Sequence, residues 1–371
     1  MTDALALTRA LTAVDTVGHD ETAALDTVAP LLEEAGFRTE VFEHEPGRGT
    51  LVAEWETGHE VPPLCLSGHV DTVPLGGAPW QRDPFAGEID GDRLYGRGVS
   101  DMKAGVAAIV TAAVTVARSR PRRSGLRLVL TAAEETGSQG ARFVAGRWGS
   151  ATRSGPLIIT EPTANAALLG HKGALWLQAR AAGVTAHGSM PHLGHNAVVT
   201  LARAVSRLAE HRFDVEPHPV MGSPTLNVGT FSGGLNTNSV PDRAIATVDV
   251  RTVAGQDHAR LLAALSGIAG DGVEVTPLVD LPPVWTDPDD EWAASASAVV
   301  REVTGASAEV ATATYFTDAS VLTPALGGVP TLICGPGQPE QAHVTDEWCS
   351  LTRLAESVEI LTRLCGGWCG I

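Results

Sequence analysis

Apolar positions change style along the chain. In the first 170 residues they gather in short solid runs: LVAEW at 51–55, PLCLS at 63–67, LRLVLTA at 126–132 and LIIT at 157–160. Runs of that length without polar alternation predict strands covered on both faces. Between them, residues 102–118 (MKAGVAAIVTAAVTVAR) are apolar almost all round, which predicts a long buried helix. Residues 3–16 and 20–35 have helical periodicity, with Gly36 as a stop and Pro30 as a kink inside the second helix. Helix and strand signals alternate, the pattern of a mainly parallel, helix-covered sheet.

After His171 the pattern shifts to strands at 174–184, 225–231, 243–251 and 272–278, with helices at 195–211 and 257–269. Their order, β-α-β-β-α-β, is that of the ferredoxin-like split βαβ sandwich, a complete small domain by itself. LPPVWTDPDD (281–290) reads as the crossing back, after which a helix at 289–303, a strand at 329–333 and a helix near 347–365 resume the first style. The expected architecture is an α/β domain of residues 1–173 and 283–371, interrupted by an inserted α+β domain of residues 174–282. A length of 371 residues fits that division, since single cores stop growing at about 250–300 residues.

Composition narrows the classes. Apolar residues make up 44% and charged residues 19%, as in ordinary globular chains. No uninterrupted apolar run approaches the ~20 residues of a membrane helix, so no membrane partner is expected. MTDALALTRALTAVDTVGHDE lacks a basic segment followed by an apolar block, so no secretory leader is expected either. A formal charge of −17 repels phosphate backbones and argues against nucleic-acid binding. It does not exclude a small anionic substrate, because a bound metal reverses the sign locally. The five cysteines (65, 334, 349, 365 and 369) are odd in number and lack disulfide-framework spacing, which points to a reducing cytoplasm. Cys365 and Cys369 form a C-x3-C with no further partners for a metal and read as plain thiols.

Five segments offer metal-ligating side chains, four of them where a predicted strand ends. Open α/β sheets bind ligands beyond the carboxyl ends of their strands, so these segments can converge. In LCLSGHVDTVP, His69 follows a buried strand, and Asp71 is placed to orient its imidazole. In GRGVSDMKAG, Asp101 opens the long buried helix. In TAAEETGS, Glu134 and Glu135 are adjacent; neighbours on extended backbone point opposite ways, so one can hold metal while the other faces substrate. IITEPT supplies Glu161, and GPGQPEQAHVTDEW supplies His343 from a Gly- and Pro-rich loop. Each residue alone has an ordinary reading: a core histidine, a helix cap, a turn aspartate, a solvated acidic pair. Their ordered co-occurrence does not.

SGHVDTVP, GRGVSDMKAG, AAEETGS, TEPT, TAHGSMPHLGHNA, SGGLNTNSVPD and GPG…AHVTDE together resemble the motif series of a set of di-zinc hydrolases, from about residue 60 to 350. That set includes acetylornithine deacetylase, succinyl-diaminopimelate desuccinylase, aminoacylase-1 and the glutamate carboxypeptidases. The resemblance implies that His69, Asp101 and Glu161 hold one zinc, and that Asp101, Glu135 and His343 hold the other. Cobalt or manganese could occupy the same donors. Glu134 would be the general base and Asp71 the orienter of His69. Two dications against three carboxylates leave one positive charge to hold a hydroxide. His187, in TAHGSMP, would reach the scissile carbonyl, coming from the neighbouring subunit in dimeric relatives, which implies a homodimer. Asn238 and Arg251 would hold a free substrate carboxylate.

The implied activity is hydrolysis of an N-acyl amino acid, with a dipeptidase or carboxypeptidase as the nearest alternative and succinyl-diaminopimelate desuccinylation as a narrower one. A co-catalytic aminopeptidase fits poorly, because Asn238 and Arg251 suit an anion. Trp80, Tyr315, Phe316 and Thr317 are candidates for the walls of an acyl or side-chain pocket, although aromatic residues at such places commonly belong to a core.

Overall fold

The computed structural model describes residues 3–148, 152–306 and 309–371. In chain order, the first stretch carries α1 (Ala4–Thr12), α2 (Glu21–Asp26), α3 (Ala29–Glu34), β1 (Arg38–Glu45), β2 (Arg48–Trp55), β3 (Leu64–His69), β4 (Glu88–Asp90), β5 (Arg93–Tyr95), α4 (Ala104–Val116), β6 (Leu126–Thr131), α5 (Gln139–Arg147), β7 (Leu157–Pro162) and β8 (Leu168–His171). There follow β9 (Gly173–Ala182), α6 (Ala197–Ala209), β10 (Thr225–Gly233), β11 (Arg243–Thr252), α7 (His258–Ala269) and β12 (Val273–Leu281). The last stretch holds β13 (Val284–Trp285), α8 (Glu291–Thr304), β14 (Ala311–Ala313), α9 (Ala319–Ala325), β15 (Thr331–Gly335), β16 (Trp348–Ser350) and α10 (Leu351–Cys369). Two units result. One comprises residues 1–170, 285–312 and 317–371, the other residues 171–284 and 313–316.

The first unit is organised by a sheet of order β1-β2-β6-β3-β7-β15-β8-β13, with β14 pairing β8. Its centre, β6, β3, β7 and β15, is parallel. Every residue of those four strands is buried, as their unalternated apolar sequences require. Beyond this centre, β2 pairs antiparallel with β6, and β1 pairs antiparallel with β2. The stretch Val99–Val116, containing α4, has the length and apolarity of a membrane span, yet 94% of it is buried in this unit's core. Gly105 lets α4 approach β7, since a Cβ there would lie 2.3 Å from the carbonyl oxygen of Thr160.

Two helix expectations are corrected. Residues 20–35 form two helices rather than one kinked helix, because Pro30 lies in the first turn of α3, where its missing N–H costs nothing. The long buried helix begins at Ala104, not at residue 102. Residues 99–103 instead make a wide turn in which Asp101 (φ −121°, ψ 89°) and Met102 (φ −137°, ψ 34°) are non-helical.

The second unit has the β-α-β-β-α-β order, with an antiparallel sheet of order β10-β11-β9-β12. Leu175, Leu177, Val248 and Val250 alternate along β9 and β11 and pack against Ala204 and Leu208 of α6 and Leu265 and Ala269 of α7. Period-2 alternation of this kind marks a sheet covered on one face only.

Candidate metal centre

The parallel strands of the first unit deliver their acids and imidazoles to one edge. His69 is the last residue of β3, in register with Thr131 at the end of β6. Its Nδ1 lies 3.0 Å from the backbone carbonyl of Asp71 and 3.6 Å from the Asp71 carboxylate. The carbonyl is therefore the nearer partner orienting the ring. The Asp71 carboxylate accepts the backbone N–H groups of Glu134 and Glu135, each at 3.1 Å. Asp71 thus joins the His69 strand to the turn bearing the acidic pair.

Asp101 faces two ways. Its Oδ1 is 3.2 Å from His69 Nε2, and its Oδ2 is 3.4 Å from His343 Nε2. Glu161, which lies within β7 rather than beyond it, reaches to 3.9 Å from His69 Nε2. Glu135 Oε1 is 3.0 Å from His343 Nε2. Two triads result, His69–Asp101–Glu161 and Asp101–Glu135–His343, with ligand atoms within 4.8 Å of one another in each. Glu134 is buried beside them, and its Oε1 has no hydrogen-bond partner.

Burial pushes the Glu134 and Glu161 carboxyls well above the usual carboxylate range; the charge of Glu161 adds to the rise at Glu134, and those of Asp101 and Glu135 add to the rise at Glu161. Burial and the neighbouring Asp101 raise Glu135. Burial would also raise Asp101, but hydrogen bonds from His343 and His69 more than offset it and hold the carboxyl low. Those bonds to Asp101 and Glu135 lift His343 to about 10. Among the described residues, no lysine or arginine forms an ion pair with Asp101, Glu134, Glu135 or Glu161; the imidazoles of His69 and His343 lie against Asp101, Glu135 and Glu161. Buried carboxylates are tolerated when paired or bound to metal. Each triad offers one nitrogen and two carboxylates, a donor set that fits zinc and similar divalent cations.

Three buried charged groups near this centre escaped the sequence reading. Asp318, preceding α9, accepts from Thr131 Oγ1 and is raised to about 6 by burial. Glu347 and Arg97 form a buried pair at 2.8 Å. The available signals were an acid in FTDAS, a second one in AHVTDEW and the arginine of GRGVSDMKAG, none of which stands out without the fold.

In the second unit, His187 and Ser239 form a bridge, and the Gly188 N–H donates to the Asn238 carbonyl at 2.7 Å, so His187 and Asn238 sit on adjoining exposed segments. His187 Nδ1 is 2.7 Å from Ser189 Oγ. Arg251, on β11, pairs with Asp249 at 3.0 Å. Phe316 packs edge-on to Trp176 in that unit. Trp80 donates to the Leu75 carbonyl, with Arg97 over its ring. Thr317 is fully buried and accepts from the Ala319 N–H, which corrects the expectation that it forms a pocket wall. All five cysteines are free and buried.

The profile of peptidase family M20/M25/M40 matches residues 65–366. The chain is 31% identical to a probable succinyl-diaminopimelate desuccinylase of Staphylococcus epidermidis over 93% of each sequence. It is also 31% identical to an acetylornithine deacetylase of Vibrio atlanticus, covering 95% of this chain and 93% of that one. Its fold resembles that of an M20-family metallo-carboxypeptidase from Sulfolobus solfataricus, with TM-score 0.79, 18% identity and full coverage of both chains.

Proposed function

The chain belongs to peptidase family M20/M25/M40, and from that premise we propose that it is a dinuclear metal-dependent amidohydrolase that removes the acyl group from an N-acyl amino acid bearing a free carboxylate. The observation that carries this reading is the pair of triads sharing Asp101, with the unpartnered Glu134 carboxyl beside them. His69, Asp101 and Glu161 would hold one cation, and Asp101, Glu135 and His343 the other. We assign zinc, with cobalt or manganese as substitutes for the same donors. Bound there, such cations acidify water and stabilise negative charge on a carbonyl oxygen.

The chain's own residues supply the proton traffic. Glu134 Oε1 is the free acceptor, and burial increases its affinity for a proton. It takes the proton of the attacking water and returns it to the leaving nitrogen, so that amide and water become carboxylic acid and amine. Asp71 keeps Glu134 and Glu135 in fixed relation by holding both backbone N–H groups. His187 would donate to the carbonyl oxygen as charge develops, from the partner subunit of a homodimer. Asn238 and Arg251 would receive the substrate carboxylate, for which the planar guanidinium fork is suited.

The names of the two curated relatives both describe removal of an acyl group, which favours a deacylase over a dipeptidase or carboxypeptidase. Reduced free cysteines are consistent with a cytoplasmic site of action. Turnover of matched N-acetyl, N-succinyl and dipeptide substrates tests the proposal. Preferred hydrolysis of an acyl amino acid is expected, and exclusive hydrolysis of peptides would overturn it.

A further inference from the structure

Glu347 lies four residues beyond His343 in the sequence and is fully buried. Its Oε2 accepts from Arg97 Nη1 and from the Gly98 N–H, both at 2.8 Å. Its Oε1 accepts from the Ser100 N–H at 2.7 Å and the Asp101 N–H at 3.1 Å. All four donors belong to residues 97–101, the segment that ends on the ligand common to both triads. The turn's own bonds, from the Lys103 N–H to the Gly98 carbonyl and from the Ala104 N–H to the Val99 carbonyl, leave those N–H groups to be satisfied from outside.

The loop bearing His343 meets the same turn a second time. A Cβ on Gly337 would lie 2.0 Å from the Ser100 carbonyl oxygen, so only glycine permits the approach. The Gln338 N–H donates to Ser100 Oγ at 3.0 Å, and Ser100 Oγ donates to the Trp348 carbonyl at 2.8 Å. The His343 loop is therefore tied to the Asp101 turn on both sides of the histidine. His69 and Glu161, by contrast, stand on β3 and β7 and owe their positions to the sheet.

We propose that Glu347, held by Arg97, is a positioning residue that fixes Asp101 relative to His343 and thereby governs retention of the cation at Asp101–Glu135–His343 more than that at His69–Asp101–Glu161. This rests on the dinuclear reading above. Glu347 touches no reacting atom. Its carboxylate acts because two oxygens together satisfy four donors, and buried donors left unpaired would pull the turn out of place.

The test is zinc binding, measured on the intact protein against a buffered chelator, with melting curves of the zinc-free forms. Glu347→Gln has a single acceptor oxygen and must abandon two of the four donors. It is expected to bind the first zinc equivalent like the wild type and the second ~10–100-fold more weakly, the usual cost of removing an outer-shell partner. His343→Ala gives the reference profile for losing that triad. Glu347→Asp, which keeps both oxygens on a shorter stem, should recover part of the affinity. Wild-type affinity for both equivalents in Glu347→Gln, or an equal loss of both, would overturn the proposal. If Glu347→Gln does not fold, Arg97→Gln carries the test: it leaves the three backbone bonds, and a smaller but still selective loss of the second equivalent is expected, with no selectivity overturning the idea. A wild-type protein that binds no zinc would instead refute the metal-centre reading itself, a result distinct from wild type and variant each binding two.

Discussion

In the first unit, His69 and Glu161 are buried at the ends of wholly buried strands, Glu134 is buried in the turn that follows β6, and Asp71 and Glu347 hold the adjoining turns. In the second unit, His187 and Asn238 lie exposed on bridged segments, and Arg251 stands half-buried on a sheet covered by helices on one face only. The contrast separates two demands. Cation ligands must keep their places to within a fraction of an ångström, and of the proposed ligands His69, Asp101 and Glu161 are buried in the fold, while the exposed loop residue His343 is the exception. The groups proposed to meet a substrate stay reachable, His187 and Asn238 at exposed positions and Arg251 at a half-buried one.

The strongest challenge to this comparison is Asp101→Ala, which removes a ligand from both triads. Zinc content should fall below one equivalent, and turnover should fall by ~10³-fold or more, the equivalent of several kcal/mol of charge stabilisation. Retained zinc and activity would show that the buried cluster is not a metal centre. Glu134→Gln should keep both zinc equivalents and lose ~10²–10⁴-fold in kcat, separating proton transfer from metal binding within the same unit. Losing zinc instead would make it a ligand.

Changes in the second unit should leave zinc content untouched. His187→Ala is expected to lower kcat ~10²–10³-fold. Mixing it with Glu134→Gln should restore partial activity, because one hybrid site then has both wild-type residues; no recovery would mean that His187 serves its own chain. Arg251→Ala should raise KM by ~10–100-fold, the range of one charge-assisted hydrogen bond, and should erase discrimination between a carboxylate substrate and its carboxamide. An unchanged ratio would remove it from recognition. The smallest effect concerns His171, at the start of the second unit, whose pKa burial depresses to about 4. A depressed pKa gives stability that is full above the ordinary value of 6.5 and is lost as pH falls through 4. The Tm of wild type should therefore fall faster than that of His171→Asn over this interval, and parallel curves would refute it.

How far the sequence led depends on how local the causes are. The central strands and α4 were readable because burial on all sides writes itself into continuous apolar runs. The strands of the second unit were readable through their alternation. β1, with the sequence RTEVFEHE, was missed because an edge strand carries polar residues on its open side. The short β4, β5 and β16 offer three residues each, too few for a period. Asp101 has the sequence appearance of a helix start because the following apolar run hides the wide turn. Glu347 and Arg97 went unread because their bond spans 250 residues of chain, and no window along the sequence contains both. The orienting partner nearest to His69 is a backbone carbonyl, which side-chain reasoning cannot select.

The apolar helix α4 is covered on one side by α10, residues 351–369. During synthesis the helix leaves the ribosome more than two hundred residues ahead of that cover, with the whole inserted unit still to be made. Until then its bare flank is a sticky surface of the kind that chaperones shield and aggregates recruit. Shortening the chain within α10 should therefore harm yield and solubility of the nascent product well before it alters any ligand of the metal centre.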